Sequence, residues 1–150
     1  MDRSVDELSG HCFGCGPENP EGLHLEFAID AEAHAASASV TLDDRYQGAP
    51  GYVHGGIIAT LLDEAMSKLN RPLGLLAMTR QMDVSYLRPA AIGTAMQVRS
   101  RFVRRDGRKL FHEAELLSTQ GEILARCTGL WIVIDPALLG LEAPTVVEPA

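Results

Sequence analysis

The chain has 150 residues, of which 46% are hydrophobic and 22% are charged, and its formal net charge is −7 at pH 7. These values suit one globular domain with a sizeable core and exclude a disordered or collagen-like chain. The acidic balance argues against nucleic acid or anionic membranes as partners, because both demand an excess of Lys and Arg.

The N-terminal segment, residues 1–22, is polar and punctuated by Gly and Pro, which indicates an arm or cap over the domain. We expect the folded domain over residues 23–136 and a loosely held tail at residues 137–150. Apolar and polar residues alternate over residues 23–30, and residues 36–42 are rich in small and β-branched side chains. Both patterns predict strands, which we expect to pair with each other.

One helix is predicted, beginning at His54-Gly55-Gly56 and ending before Pro72. Its apolar residues share one broad helical face: Ile57, Ile58, Leu61, Leu62, Ala65, Met66 and Leu69. Asp63 lies away from this stripe among small and polar residues, where a ligand or a second subunit can approach. Glu64 lies at the edge of the stripe, four residues before Lys68, which favours a surface ion pair. Asp63 is therefore the better candidate for a reacting carboxylate.

Four further strands are predicted downstream, at residues 77–87, 95–105, 109–118 and 123–134. Asp106-Gly107 predicts a tight hairpin between the second and third of them, and Gln120-Gly121 predicts the next turn. Two strands, a long helix and a four-strand antiparallel meander make an α+β domain. A curved sheet wrapped around the single helix would bury the apolar face of that helix.

The start of the helix is a candidate anion site, because its first N–H groups lack helical partners and its dipole is positive there. Glycines at Gly55 and Gly56 would let a substrate approach, and their N–H groups would stabilise the oxyanion of an attacked carbonyl. Gly55 and Asp63 are about 12 Å apart along one helix, too far to serve one carbonyl. Two antiparallel helices in a homodimer would unite them. The simpler alternative is a tight helix entry with a solvated Asp63.

Three motifs resemble the PaaI-like branch of hotdog-fold thioesterases. The first is Gly48-Ala49-Pro50-Gly51-Tyr52-Val53-His54-Gly55-Gly56, with Asp63 nine residues after the histidine. The second is Thr79-Arg80-Gln81-Met82-Asp83-Val84-Ser85-Tyr86-Leu87-Arg88-Pro89. The third joins Cys12-Phe13-Gly14-Cys15-Gly16 to Asn19-Pro20 and Gly22-Leu23. The resemblance covers residues 12–134 and implies a hotdog fold, in which a curved antiparallel sheet wraps around one long central helix.

The resemblance implies an acyl-CoA thioesterase, whose reaction requires no metal or redox cofactor. The separation of Gly55 and Asp63 requires a homodimer, and assembly into a tetramer stays open. The resemblance assigns Asp63 as general base or nucleophile, and the Gly55 N–H as oxyanion donor. Thr79 matches the family's Ser or Thr that orients the attacking water. The alternative for Thr79 is a strand residue chosen for its β propensity.

Further substrate contacts are expected at Gln47, Gly48, His54 and Gly56. Gly48 stands where some relatives carry an Asn that steadies the attacking water or the thioester carbonyl. The nearest amide in this chain is Gln47, so the residue that positions the water stays open. We expect His54 to brace the loop through hydrogen bonds rather than to transfer protons. Two other functions remain as alternatives: a non-catalytic module that binds acyl-CoA, and a hydratase that acts on enoyl-CoA.

Other signals are weaker. A zinc site would draw on Cys12, Cys15, His11 and His24, but a second Cys-x-x-Cys is absent, so no metal is expected. Nothing in the sequence activates a nucleophilic cysteine, and we expect Cys127 to be a small buried residue.

A basic run could meet CoA phosphates or form a solvated rim: Arg99, Arg101, Arg104, Arg105, Arg108 and Lys109. Without a signal peptide or a membrane-length apolar run, we expect a cytoplasmic location and reduced thiols.

Overall fold

The computed structural model describes residues 3–145 and contains a six-stranded antiparallel sheet that packs against one long helix. In chain order its elements are β1 (Arg3–Ser4), α1 (Val5–Ser9), β2 (Ala28–Asp30), β3 (Ala35–Val40), α2 (Gly55–Ser67), β4 (Leu76–Tyr86), β5 (Met96–Asp106), β6 (Lys109–Ser118), β7 (Ile123–Ile134) and β8 (Leu141–Glu142). Short 3-10 helices occupy Asp44–Tyr46, Arg71–Leu73 and Pro136–Leu139. Within the described residues, no helix is long and apolar enough to cross a membrane.

The strand order of the large sheet is β2-β3-β5-β6-β7-β4, and every neighbouring pair is antiparallel. The predicted meander of the last four strands is therefore wrong for β4, which pairs with β7 at one edge of the sheet. The link between β4 and β5, residues 87–95, contains Pro89 and Gly93 and is too long for a hairpin loop. It crosses to the loop before α2, where the Val53 N–H donates to the Ala90 carbonyl.

The hairpin between β5 and β6 is confirmed. Asp106 pairs with Lys109, so Gly107 takes the first central position of a two-residue turn. Its φ is +57°, a left-handed conformation that glycine adopts without steric cost because it has no Cβ. The turn at Gly121 is confirmed as well, again with a positive φ.

The first predicted strand is shorter than expected, because only residues 28–30 of the alternating segment join the sheet. The earlier residues bond to the N-terminal segment instead. The Leu23 N–H donates to the Phe13 carbonyl at 2.8 Å, and the Leu25 N–H donates to the Gly14 carbonyl at 2.9 Å. Leu25 is buried, which explains the apolar alternation without a β-ladder.

Helix α2 is the centre of the core, as the periodicity predicted. The side chains of Leu61, Leu62, Ala65 and Met66 are fully buried against the strands that surround the helix. Burying a Leu or Met of this size stabilises the fold by about 1.5–3 kcal/mol. Because this apolar face is fixed against the sheet, the opposite face of α2 is directed away from the core.

The first and last strands of the described residues lie side by side. Strand β1 pairs with β8 in parallel, and the Asp6 carboxylate of α1 binds both the Arg71 guanidinium and the Thr145 N–H. These bonds hold the pKa of Asp6 below its ordinary value, with the contacts to Thr145 contributing most. The boundaries at residues 22 and 136 stay predictions, and residues 1–2 and 146–150 of the predicted arm and tail lie outside the described residues.

His112 is a buried polar residue in the core, 1% exposed, and its ring lies between those of Phe102 and Trp131. Its Nε2–H donates to Asn70 Oδ1 at 2.8 Å, while its Nδ1 is buried without a hydrogen-bond partner. Desolvation lowers the pKa of His112 from 6.5 to about 4. The folded protein therefore holds this imidazole neutral at mildly acidic pH.

We expect the free energy of unfolding to fall as the pH drops from about 6.5 towards 4, because only the unfolded chain takes up the His112 proton there. The full loss is up to about 3 kcal/mol. Urea unfolding at several pH values measures the slope, which His112→Phe is expected to flatten. His11→Gln, on an exposed side chain, is the control and keeps the slope. If His112→Phe shows the same pH dependence of stability as the wild type, His112 is not the group responsible for it.

Candidate active site

Asp63 lies on the side of α2 that faces β4, next to the predicted strand residue Thr79. The Thr79 hydroxyl donates to Asp63 Oδ1 at 2.7 Å. Burial raises the pKa of the Asp63 carboxyl above its ordinary value, the Thr79 hydrogen bond opposes that shift, and the Glu64 carboxylate adds to it. A carboxylate with a raised pKa is a stronger base, which suits a group that takes a proton from water.

The start of α2 is capped by His54. Its Nδ1 accepts a hydrogen bond from the Gly56 N–H at 2.9 Å, which is the kind of bracing contact expected for this histidine. A ring nitrogen that accepts is unprotonated. The Gly55 N–H has no acceptor among the described residues, so it is the free donor at the positive end of the helix dipole.

The loop before α2 is folded back on itself, and Gln47 and Gly48 belong to that fold. Gln47 Oε1 accepts a hydrogen bond from the Gly51 N–H at 2.9 Å, so this amide oxygen has a partner within the loop. A Cβ on Gly48 would lie 2.9 Å from the His54 Cα. This contact explains the glycine at position 48, since a side chain here would displace the backbone of the capping residue.

Tyr86, at the end of β4, is a residue to which the sequence assigned no role. Its hydroxyl donates to the Gly55 carbonyl at 2.9 Å, and the side chain is half exposed beside the free Gly55 N–H. Tyr86 was visible in the second motif, but strand alternation does not reveal which end of β4 lies next to the helix start. That placement follows from β4 running antiparallel to α2.

Strand β4 carries a bulge directly beside Asp63. The pairing with β7 shifts between Thr79 and Gln81, so Arg80 is the extra residue on the bulged strand. Bulges bend a strand and redirect its side chains, and they are common next to active sites. All three of these residues are exposed.

The predicted site residues therefore form two groups in one chain. Asp63 and Thr79 lie together near the beginning of β4, while His54, Gly55 and Gly56 lie near its end with Tyr86. Asp63 lies eight positions after Gly55 in the helix, a separation of about 12 Å along its axis. One chain alone does not bring the acid and the free N–H to the same carbonyl.

The prediction of an exposed Glu64–Lys68 pair is wrong in one respect. The pair exists, with Lys68 Nζ 3.9 Å from Glu64 Oε2, but the side chains are only 22% and 14% exposed respectively. The N-terminal loop at Gly14 covers them, since a Cβ there would lie 2.1 Å from Glu64 Cγ. A helical wheel contains no information about a distant segment that folds over the helix.

All three cysteines are free thiols, and Cys127 is buried as predicted. Burial raises the pKa of Cys15 to about 12 and that of Cys127 to about 11. These two thiols are therefore protonated at neutral pH, which is the opposite of what a nucleophilic cysteine requires.

Most of the basic run has partners within the chain. Arg99 and Arg101 pair with Glu115 and Glu113 across the β5–β6 ladder. The Arg104 guanidinium stacks 3.7 Å above the centre of the Phe111 ring. Arg105 donates a hydrogen bond to the Gly107 carbonyl, and Arg108 donates one to the Val133 carbonyl. These contacts favour the interpretation as a solvated rim, and a role in binding CoA phosphates stays a prediction.

The long helix wrapped by an antiparallel sheet, with a carboxylate on its open face, is a hotdog domain. Comparison with known proteins gives the family: the Thioesterase superfamily model matches residues 50–125, and the chain belongs to that superfamily. Acyl-coenzyme A thioesterase THEM4 of Mus musculus is 35% identical over 120 residues, covering 77% of this chain. The chain spans about half, 51%, of that relative.

Solved structures confirm the fold. A thioesterase superfamily protein, 28% identical, superposes with a TM-score of 0.78 over 88% of this chain and 67% of its own. The E. coli PaaI protein from the phenylacetic acid degradation operon, 18% identical, gives a TM-score of 0.70 over 75% of this chain and 81% of its own. The resemblance to hotdog-fold thioesterases, first drawn from three motifs, is confirmed by the family model and the curated relative. A putative thioesterase related to phenylacetic acid degradation from Ralstonia eutropha, 28% identical, superposes with a TM-score of 0.67 over 74% of this chain and 86% of its own, which supports the PaaI-like branch.

Proposed function

We propose that this chain is an acyl-CoA thioesterase, which hydrolyses the thioester to a free acid and coenzyme A at a site shared by two subunits. The hydrogen bond between Thr79 and Asp63 is the observation that carries the proposal, because it orients a partly buried carboxylate of raised pKa. The superfamily match and the names of the relatives support the same reaction class.

A homodimer is part of the proposal, and β4 is the surface that supports it. This 11-residue strand lies at the edge of the sheet, and none of its residues is buried. Met78, Tyr86 and the adjoining Leu87 are each about half exposed. A long, exposed edge with apolar side chains readily pairs with another strand. A second copy of the same strand is the occupant that we propose.

Antiparallel pairing of two β4 strands would also complete the site. Thr79 near the beginning of β4 contacts Asp63, and Tyr86 at its end contacts Gly55. Across a two-fold axis, the beginning of one strand meets the end of the other. Asp63 of one subunit would then face Gly55 of its partner, and each dimer would hold two equivalent sites.

In this arrangement the thioester carbonyl lies against the Gly55 N–H of one subunit. Asp63 of the other subunit takes a proton from water, which attacks the carbonyl carbon, or attacks that carbon directly. The developing oxyanion is stabilised by the N–H and the helix dipole more than the ground state is. When water attacks, the tetrahedral intermediate collapses to the free acid, the C–S bond breaks, and the coenzyme A thiolate takes the proton that Asp63 accepted. When Asp63 attacks, the departing thiolate takes a proton from solvent and leaves an acyl–Asp63 anhydride, which water hydrolyses to the free acid and the Asp63 carboxylate.

Thiol release from a panel of aromatic and aliphatic acyl-CoAs tests the proposed reaction. We expect turnover with at least one acyl chain, and size-exclusion chromatography is expected to give a mass of two or more subunits. Binding of acyl-CoA without thiol release would instead favour a binding module. Conversion of an enoyl-CoA to a hydrated product without thiol release would favour a hydratase.

Thr79→Val is expected to reduce kcat/KM by about 10–100-fold, since it removes a hydrogen bond to a charged group. It is also expected to move the acidic limb of the pH–rate profile to higher pH. The Thr79 bond lowers the pKa of Asp63, so its loss lets that pKa rise, and Asp63 acts only when ionised. Thr79→Ser keeps a hydroxyl and is the matched control. An acidic limb at the same pH in both variants would contradict the role.

A further inference from the structure

A second cluster of reactive side chains lies where the N-terminal loop crosses α2, outside the proposed thioesterase site. Cys12 and Cys15 of the loop and Glu64 of the helix each offer one ligand atom, and these atoms all lie within 4.8 Å of one another. Among the described residues, no other group of three His, Cys, Asp or Glu side chains is close enough to hold a metal ion.

The loop is held in this position by its glycines and its backbone. The Gly16 N–H donates to the Cys12 carbonyl at 2.9 Å, which closes the loop around the two cysteines. A Cβ on Gly14 would lie 2.1 Å from Glu64 Cγ, and one on Gly16 would lie 2.4 Å from the Gly10 carbonyl oxygen. Both glycines are therefore required for the sulfurs to approach Glu64 this closely.

Glu64 is the residue whose bonding is incomplete. Its Oε1 accepts from the Cys12 thiol at 3.3 Å, but its Oε2 is buried without a hydrogen-bond partner. A buried carboxylate oxygen without a partner is costly, and native structures seldom leave one so. Lys68 Nζ lies 2.7 Å from Cys15 Sγ but 3.9 Å from Glu64 Oε2, too far for a hydrogen bond.

We propose that Cys12, Cys15 and Glu64 bind a zinc ion, with a water molecule as the fourth ligand. Two thiolates and a carboxylate in a tetrahedral arrangement are a ligand set that favours Zn²⁺ over harder cations. At the usual Zn–S and Zn–O lengths of about 2.3 and 2.1 Å, the ligand atoms of such a site are less than about 4 Å apart. Each thiol loses its proton to solvent as its bond to zinc forms.

The charges of the cluster fit this assignment. Zinc with two thiolates and one carboxylate carries a net charge of −1, and the Lys68 ammonium balances it. Lys68 donates to Cys15 Sγ and would act as an outer partner of a metal-bound sulfur. A cavity of about 180 Å³, lined in part by these four residues, gives water and the ion a way in.

The sequence indicated the two cysteines as possible zinc ligands, but with histidines beside them rather than Glu64. His11 instead pairs with Glu18, and His24 bonds to the Asn19 carbonyl, so neither belongs to this cluster. The expectation of no metal rested on the missing second Cys-x-x-Cys. Glu64, which supplies the third ligand, is far away in the chain and was interpreted as a surface residue. Zinc here would fasten the N-terminal loop to the helix turn that carries Asp63.

The test is the metal content of the full chain, purified without chelator and dialysed, by elemental analysis. We expect about one zinc per chain in the wild type and in Cys127→Ser, a control at the buried cysteine outside the cluster. Cys12→Ser/Cys15→Ser is expected to lose the zinc. Glu64→Gln and Lys68→Met are expected to weaken zinc affinity by about 10-fold or more.

Replacing zinc with Co²⁺ in the wild type gives a second readout that does not depend on the folding of a variant. A thiolate-to-cobalt charge-transfer band and tetrahedral d–d bands are expected. Absence of both bands would overturn the proposal, and so would zinc that remains in the folded double variant. Metal-free wild type exposed to air provides a further test, because Cys12 and Cys15 could instead form a disulfide and lose two free thiols. If the protein still takes up no zinc after that disulfide is reduced, the proposal is overturned.

Discussion

Asp63→Asn is expected to lower kcat for acyl-CoA hydrolysis by about 10²–10⁴-fold, the contribution typical of a positioned general base. The amide is isosteric with the carboxylate and can still accept a hydrogen bond from Thr79, so the fold is retained. What the variant loses is the basic oxygen that takes the proton from water or attacks the thioester. The measurement is steady-state thiol release on the best substrate of the panel.

Asp30→Asn is the matched control for this variant. Asp30 is an exposed carboxylate on β2, at the opposite edge of the sheet from β4, and no role in the reaction is proposed for it. The control is expected to keep wild-type kcat. Equal activity in Asp63→Asn and in the wild type would remove Asp63 from the mechanism.

Gly55→Pro is expected to lower kcat by about 10²–10³-fold, which is the usual cost of removing one oxyanion donor. Proline has no N–H, and Gly55 is the first residue of α2, where proline is favoured and its missing donor breaks no helical bond. His54, with φ −59° and ψ 134°, already has the extended backbone that a following proline demands. The substitution therefore removes the donor and leaves the helix intact.

Gly55→Ala is the control that keeps the N–H. A Cβ at this position would lie 3.5 Å from the Tyr86 ring, which is an ordinary contact. We expect the alanine variant to retain most of the activity, and circular dichroism and thermal melting to match among all three proteins. Similar kcat values for the proline and alanine variants would show that the Gly55 N–H does not act on the carbonyl.

Local patterns in the sequence were sufficient for most of the elements. The apolar spacing around Leu61 and Leu62 predicted α2. Small and β-branched residues predicted β3, and alternation predicted β4 to β7, all to within about two residues. The glycine at position 107 predicted the β5–β6 hairpin. Each of these features depends on neighbours close in the chain, so the sequence contains the relevant information locally.

The errors lie where distant segments meet. Strand β4 pairs with β7 rather than β5, and the alternating residues before β2 bond to the N-terminal loop. For the same reason, Glu64 was predicted to be exposed, and Tyr86 was not recognised as a neighbour of Gly55. Spacing reveals which face of an element a residue occupies, but it does not reveal which other element covers that face.

Heterodimers of two inactive variants test whether the active site is shared between subunits. Asp63→Asn and Gly55→Pro chains, each inactive alone, are co-expressed with different tags so that heterodimers form. If each site combines Asp63 of one subunit with Gly55 of the other, one of the two sites in a heterodimer is intact. The mixture is then expected to regain about a quarter of wild-type activity, since about half of the dimers are mixed. No recovery in purified heterodimers would contradict a site shared between subunits.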